Sequence, residues 1–345
     1  PGSTQDRMVS FVDFGPAVLS LAGVPIPEHM QGLPFLGKQS EGVAPRKFIY
    51  GIRDRMDERY DMTRTVRGER FKYHRNYIPF VPHYPWLDYM DMLDTSKELR
   101  RLHTEGRLTG GHAFFMADRK PVEELYDLQK DPHELVNLAD SAKHKETLER
   151  LRGVHLNWVR ETVDTGLIPE ADLRRRAEDS SEYEYARSWN YPLERILQSA
   201  LLVGRGLEVL PQLIEGLNDS DSAVRYWGAI GLANLGAAGL SAAPDLRGRL
   251  TDDSSDVRIA AAQALCRMGR IEAGLPPLIE ELKHDDPWVR LAAANVIDYL
   301  GEKAAPAVPA MRSFMANDDR ENLFVRWIFG NTLRTLKMDP KQPQP

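Results

Sequence analysis

Two short patterns recur through the second half of the sequence with the same spacing. The pair Val-Arg occurs four times, at intervals of 32 to 36 residues, and a glycine recurs with a similar period. A period of this length is typical of solenoids built from helix pairs. Apolar residues such as Val257, Ala261 and Ala264 lie at helical offsets that return in the next repeat, so each unit has an apolar helix face. This half therefore predicts an all-α solenoid. The recurring positions are Val224-Arg225, Val257-Arg258, Val289-Arg290 and Val325-Arg326, with Gly204, Gly236, Gly269 and Gly301.

The ends of the repeated helices carry signals of their own. Asp256 and Asp286 stand where N-caps are expected, and Pro287 fits a first helical position. The glycines fit left-handed caps at helix C-termini. The Asp…Val-Arg pattern resembles HEAT repeats, an armadillo-like helical arrangement, with about four full units after a degenerate one that starts at Leu193. We place this solenoid at residues 192–337 and a tail at residues 338–345.

The first half has no period and mixes strands with helices. Since strands and helices do not alternate, residues 1–169 predict an α+β fold, a small antiparallel sheet with packed helices. Leu135, Val136 and Leu138 are expected to lead into a helix after the turn at Asp131-Pro132. Charged residues dominate residues 170–191, which we interpret as a linker helix or loop. The predicted strands are 47–53, 62–67, 71–76 and 124–128, and the predicted helices are 10–23, 96–107 and 143–164.

Composition and charge limit the classes of partner. The sequence has 345 residues, long enough for two domains, and 42% hydrophobic residues, as is typical of globular proteins. A net charge of -6 argues against a broad nucleic-acid surface, and no apolar run is long enough to span a bilayer. The single cysteine, Cys266, excludes an internal disulfide framework. Because it sits near the end of a predicted repeat helix, we expect a buried packing residue rather than a nucleophile.

A charged loop at residues 53–59 is the strongest candidate for binding. It follows a predicted strand, so its side chains would project from a strand end. The guanidinium groups of its three arginines, Arg53, Arg55 and Arg59, can grip sulfate or carboxylate groups with paired hydrogen bonds. Asp57 and Glu58 can accept hydrogen bonds from sugar hydroxyls. The alternative is a solvated loop whose charges pair with one another.

A second candidate is His83, which lies among aromatic residues and prolines. Tyr84, Trp86 and Tyr89 could form a rim that stacks on sugar rings, or they could cover a helix beneath them. Both interpretations stay open. The acidic clusters at the repeat helix starts are explained by capping and the helix dipole, so we predict no metal site and no catalytic residue in this sequence.

Several pieces of the first half together resemble one enzyme family. They are residues 6–24, residues 31–36, residues 62–67 with 71–73, and Glu124-Leu-Tyr-Asp-Leu128 with Asp131-Pro132. In this order they resemble the C-terminal part of the sulfatases, in the alkaline-phosphatase-like superfamily, near bacterial heparan N-sulfatase-like members. Some of those relatives carry HEAT repeats after the catalytic fold.

The resemblance implies what the intact protein does. It would hydrolyse sulfate esters or sulfamates on a sulfated polysaccharide or another sulfate ester, using calcium and a formylglycine made from Cys or Ser. In the family these groups lie before the position that matches Pro1. The chain alone is therefore expected to bind neither cofactor and to be inactive. The resemblance also implies a periplasmic or extracellular location.

Two other functions remain open. The solenoid could be the working part of a non-catalytic scaffold that contacts a protein partner. Alternatively, the enzyme could hydrolyse phosphoesters or phosphonates, as other members of the superfamily do. The nucleophile motif upstream of this sequence would separate the three.

Overall fold

The computed structural model describes residues 2, 6–316 and 320–338. The chain divides into two compact units, each assembled from separated segments. The first, here named the sheet unit, consists of Pro1–Ile52, Arg64–Arg75 and Glu123–Asn157. The second, named the repeat unit, consists of Arg53–Thr63, Asn76–Val122 and Trp158–Pro345. The domain boundaries expected from sequence stay predictions, and residues 339–345 of the expected tail lie outside the described residues.

The sheet unit is built around four strands in the order β1-β2-β3-β4. Strands β3 and β4 run antiparallel, with Phe71 opposite Asp127 and Arg75 opposite Glu123. The predicted antiparallel sheet with packed helices, followed by a helical solenoid, is confirmed. The elements are α1 (Phe14–Leu21), β1 (Ile49–Arg53), β2 (Thr63–Arg67), β3 (Phe71–Asn76), β4 (Glu123–Asp127) and α5 (Lys145–Thr162).

Helix α5 covers one face of the sheet. Leu148 and Leu151 of this helix pack with Val66, Tyr73 and Leu125 in one buried cluster. One strand residue of this cluster comes from each of β2, β3 and β4. Their side chains share one face of the sheet, since successive side chains of a strand point to opposite faces. Each fully buried leucine contributes about 2 kcal/mol of hydrophobic free energy. The burial of this one face fixes the register of the strands.

The repeat unit contains the other helices. Successive pairs α9/α10, α11/α12, α13/α14 and α15/α16 form the solenoid, and its last pairs share a continuous apolar core. The helices are α2 (Asp88–Asp91), α3 (Asp94–Thr104), α4 (Gly110–Phe115), α6 (Glu170–Arg176), α7 (Glu182–Ala186), α8 (Leu193–Ala200), α9 (Leu210–Gly216), α10 (Ser222–Leu235), α11 (Ala243–Gly248), α12 (Ser255–Arg267), α13 (Ile271–Glu281), α14 (Pro287–Tyr299), α15 (Val308–Ala316) and α16 (Leu323–Thr335).

The recurring arginines explain why Val-Arg is repeated. Arg225, Arg258 and Arg290 each donate through Nη1 to the backbone carbonyls five and six residues earlier, at 2.6–3.4 Å. Each guanidinium also reaches a side chain of the following repeat. We name these three residues the arginine ladder, since every step fixes a loop and the next repeat together. The cross-repeat acceptors are Asp252, Glu281 and Asn322, respectively.

The helix ends agree with the sequence in all but one place. Asp286 caps α14 by accepting the Trp288 N–H at 2.8 Å, with Pro287 at the first helical position. All four recurring glycines have positive φ. The expectation that Asp256 is an N-cap is wrong, because Ser254 holds that position and Asp256 lies in the first turn of α12. Asp256 instead accepts the backbone N–H of Asp172 at 3.1 Å.

Candidate functional site

The charged loop at residues 53–59 forms a tight turn in the repeat unit. The backbones of Met56 and Arg59 exchange hydrogen bonds of 2.8 and 2.9 Å across it. Asp57 stands at its tip, exposed, with a positive φ of 47° that aspartate tolerates better than most residues. The turn therefore splits the loop, and its charged residues point to different surroundings.

Arg53 and His83, which are 30 residues apart in sequence, are in contact. Arg53 Nη1 donates to the His83 carbonyl oxygen at 3.1 Å, and its Nε lies 3.7 Å from an Asp61 carboxylate oxygen. Asp61 is buried, and each of its two carboxylate oxygens accepts a hydrogen bond from Lys120 Nζ at 2.5 Å. The His83 ring lies 5.0 Å from that of Phe114. The buried Lys120–Asp61 ion pair thus lies next to Arg53.

Arg55 faces the solenoid. Its Nε lies 2.8 Å from a Glu170 carboxylate oxygen, and its guanidinium stacks 4.0 Å from the centre of the Trp288 ring. A further bond to the Asp57 carbonyl, at 3.0 Å, links it to the tip of the turn. Arg55 is a quarter exposed, so one edge of the guanidinium stays open to a ligand.

Glu58 and Arg59 are almost wholly buried. Glu58 accepts the Asp88 N–H at 2.6 Å, and burial raises the pKa of its carboxyl. Arg59 donates to Asn295 at 3.0 Å and to Asp298 at 2.6 Å, both on α14. Its role in holding the loop on the solenoid was not foreseen, because its partners lie more than 230 residues away in sequence. Substrate contact by Arg53, Arg55, Asp57, Glu58 and His83 stays a prediction.

Arg55 also borders a pocket that the sequence did not reveal. It encloses about 800 Å³ of space, counting the part open to solvent. The second helices of three successive repeats, α10, α12 and α14, supply most of its walls, which are largely apolar. Residues near the turn and the start of α6 complete them. The polar groups along these walls include Tyr60, Gln263 and Asn295.

One carboxyl group on the pocket wall has an unusual environment. Asp256 is buried at the start of α12, and its Oδ2 accepts the Asp172 N–H. Burial first, and then the nearby Asp172 carboxylate, raise the pKa of Asp256 to about 7. A sequence signal could have found it: the residue before Val-Arg is apolar in the other repeats, Ala223, Trp288 and Phe324. An acid stands there in one repeat alone.

The other expectations concern the cysteine, metals and membranes. Cys266 is buried in α12, and burial raises the pKa of its thiol to about 12, so it stays protonated near neutral pH. Within residues 2, 6–316 and 320–338, no group of three or more His, Cys, Asp or Glu side chains is arranged to hold a metal ion. The described residues thus do not fit the calcium that the family resemblance implies. In the same residues, no helix is long and apolar enough to cross a membrane.

Parts of this sequence are similar to known proteins. The family model for HEAT repeats matches residues 200–274. An ulvan-active sulfatase of Formosa agariphila is 39% identical over 171 residues, which is 50% of this chain and 28% of that protein. A second ulvan-active sulfatase of the same organism is 30% identical over 48% of this chain and 31% of its own length. This chain is related to sulfatases. It spans less than a third of the length of these curated relatives.

Two further proteins match part of the chain, one in sequence and one in structure. Phycocyanobilin lyase subunit alpha of Picosynechococcus is 36% identical over 77 residues, 22% of this chain and 28% of that protein. A designed armadillo repeat protein in complex with the peptide (KR)4 aligns with 57% of this chain and 95% of its own, at 20% identity and a TM-score of 0.31. We build no argument on that alignment. The sulfatase resemblance and the HEAT repeats predicted from sequence are both confirmed.

Proposed function

We propose that this chain is part of a sulfatase that removes sulfate from a sulfated polysaccharide, with the HEAT solenoid holding the rim of the substrate site. The 39% identity with an ulvan-active sulfatase over half of this chain carries the proposal. Sulfated algal polysaccharides are the substrate class to test first. Sulfamates, and smaller sulfate esters, belong to the same reaction class.

The surface of α1 supports a place in a larger fold. Phe14, Val18 and Leu21 recur three or four residues apart along α1, Phe11 lies in the short 3-10 turn just before it, and all four are exposed, Phe11 at 91%. An apolar stripe of this kind on a folded protein usually marks a contact with another protein surface. In our proposal, the stripe packs against the remainder of the sulfatase domain.

The contacts of the loop at residues 53–59 support the role of the solenoid. Arg55 stacks on Trp288 and Arg59 bonds to Asn295 and Asp298, so α14 fixes both ends of the turn. A polyanionic chain would meet Arg53 and Arg55 at the rim, where paired hydrogen bonds to sulfate oxygens are possible. Calcium and formylglycine are proposed for the intact protein, and both would be held by residues other than those described.

The direct test is sulfate release by the complete protein that contains this sequence. It is incubated with ulvan, a sulfated glycosaminoglycan, a small aryl sulfate and an aryl phosphate, and the inorganic anion is measured. We expect sulfate from the polysaccharides at rates well above those for phosphate. Phosphate release alone would favour the phosphoesterase alternative, and no release from any substrate would favour the scaffold. The latter two alternatives stay predictions.

A first prediction concerns the rim. Changing Arg53 and Arg55 to Ala should raise KM for the polysaccharide about tenfold, the loss of one or two charged hydrogen bonds, and leave KM for the aryl sulfate nearly unchanged. The matched control is Arg101→Ala, since Arg101 lies exposed on α3 with Glu98 and Glu105 as partners. Equal changes for both substrates would contradict a rim role for the two arginines.

A further inference from the structure

We propose that the pocket between α10, α12 and α14 binds a small apolar molecule that carries one protonated amine, with the Asp256 carboxylate as its counter-ion. The pocket shares Arg55 with the rim proposed above, but the amine proposal does not depend on the sulfatase chemistry. Its ligand class is set by three features of the pocket: its walls, its single unpaired charge and its position in the repeats.

The walls favour an apolar body. Ile259 and Leu291 present aliphatic surface, and Tyr226 and Tyr299 add aromatic rings. Transfer of an apolar group into such a space is favourable by about 25 cal/mol per Å² removed from water. Aromatic faces also attract cations, most strongly where water is excluded. A ring or short alkyl chain bearing an ammonium group matches both properties.

The charges on the walls do not cancel. Arg55 is paired with Glu170, which neutralises that end of the pocket. Asp256 has no cation of its own: Oδ2 accepts the Asp172 N–H, and among the described residues no donor is placed on Oδ1. The guanidinium groups of Arg175 and Arg176 bond to Asp172 instead. A buried carboxylate of this kind is costly unless a ligand cation compensates it.

Anionic ligands fit poorly for the same reason. A sulfated sugar would place its charge beside the Asp256 carboxyl, and Arg55 is already shared by Glu170 and Trp288. Moving a sulfate group out of water has a large free-energy cost. One arginine that already bonds to Glu170 does not compensate that cost without further hydrogen-bond donors. The pocket is therefore distinct in chemistry from a sulfated-polysaccharide site.

The repeats themselves point to a selected acid. At the equivalent position the other three repeats have Ala223, Trp288 and Phe324. Packing needs only an apolar residue there, and burying a carboxyl weakens the fold. Perturbed ionisable groups that line a pocket are enriched at functional sites. The pocket geometry and the unpaired oxygen together carry the assignment to a ligand site.

The test uses the complete protein and three probes that share one phenylethyl group: 2-phenylethylamine, 2-phenylethanol and 3-phenylpropanoate. Binding is measured by calorimetry at neutral pH. We expect the amine to bind about tenfold more tightly than the alcohol, the effect of one charge-assisted hydrogen bond, and the carboxylate not to bind. Asp256→Asn should lower the affinity for the amine to that for the alcohol.

Two further variants guard against misfolding. Ala292→Trp places a large side chain on the pocket wall and should abolish binding of both amine and alcohol. Asp285→Asn removes an exposed acid before α14, outside the pocket, and should change neither affinity. Equal binding of amine and alcohol to the unaltered protein, tighter binding of the carboxylate, or no saturable binding of the amine would each overturn the proposal.

Discussion

Two ion pairs of the sheet unit keep an exposed arginine, whereas one ion pair of the repeat unit has both partners in the interior. Arg70 is 42% exposed beside Asp127, and Arg152 beside Glu123 is similar. In the repeat unit, Lys120 and its partner Asp61 are each 1% exposed. Surface pairs contribute little to stability, but removing one partner of a buried pair leaves an uncompensated charge. Charge therefore has different consequences in the two units.

The largest expected effect comes from the buried pair. Lys120→Met should lower the free energy of unfolding by about 4 kcal/mol, because the buried Asp61 carboxylate loses its close cation and keeps the Met62 N–H at 2.8 Å and the more distant Arg53 at 3.7 Å. Urea denaturation measures the loss, and hydrogen exchange assigns it to the repeat unit. The matched variant Lys145→Met, in an exposed pair with Glu149 on α5, should leave stability unchanged within error. Similar losses for both variants would remove the distinction between the two units.

The second prediction concerns pH. The pKa of Asp256, raised to about 7, means that the folded state holds a proton that the unfolded state releases above pH of about 4. Stability of the repeat unit should therefore fall as pH rises from about 4 to 7, by on the order of 4 kcal/mol. Asp256→Asn should remove this slope.

The sheet unit should respond in the opposite direction. His74 and then Lys72 hold the pKa of Glu134 at about 2, against the burial of this half-exposed carboxyl. Its contribution is present above pH of about 4.5 and is lost as pH falls toward 2, by about 1 kcal/mol after screening by solvent. Peptide-resolved hydrogen exchange across this pH range compares the two units in one molecule. If stability changed with pH in the same direction in both units, the predicted difference between them would be wrong.

The last comparison comes from one substitution made in both units. A Cβ on Gly228 of α10 would lie 2.9 Å from the Leu213 carbonyl oxygen and 3.1 Å from the Leu217 nitrogen, so Gly228→Ala forces α9 away and should cost about 2 kcal/mol. Gly153 in α5 has no atom within 4 Å of such a Cβ. Gly153→Ala should instead stabilise by about 1 kcal/mol, from helix propensity. Thermal unfolding measures both changes.

The sequence predicted those elements whose signal is local or periodic. Strand β3 has the predicted bounds, 71–76, and the repeat helices α12 and α14 lie where their apolar faces indicate. The helix expected after Pro132 begins only at Lys145, because Asp131 accepts the Val136 N–H and keeps that segment irregular. Leu135 and Val136 are exposed there. Local turn bonding outweighed the apolar pattern.

The candidate site is formed by contacts between residues that are far apart in sequence, and no local sequence pattern indicates such contacts. The partners of Arg55 and Arg59 on α14 come from residues more than 200 positions away, so the sequence could suggest a charged loop but not what it touches. Asp256 was assigned to capping because Asp residues at helix starts usually cap. Its actual partner, Asp172, is 84 residues away. The pocket requires three repeats and cannot be derived from any one of them.

The arginine ladder also limits how this protein can change in length. Each step links a loop to a side chain in the following repeat, as Arg225 does with Asp252, 27 residues later, and Arg258 with Glu281, 23 residues later. Insertion or loss of a whole repeat would leave each remaining arginine with a following repeat that supplies an acceptor. A shift by part of a repeat would leave a buried guanidinium facing the wrong residue. Relatives of this solenoid should therefore differ in size by multiples of about 33 residues.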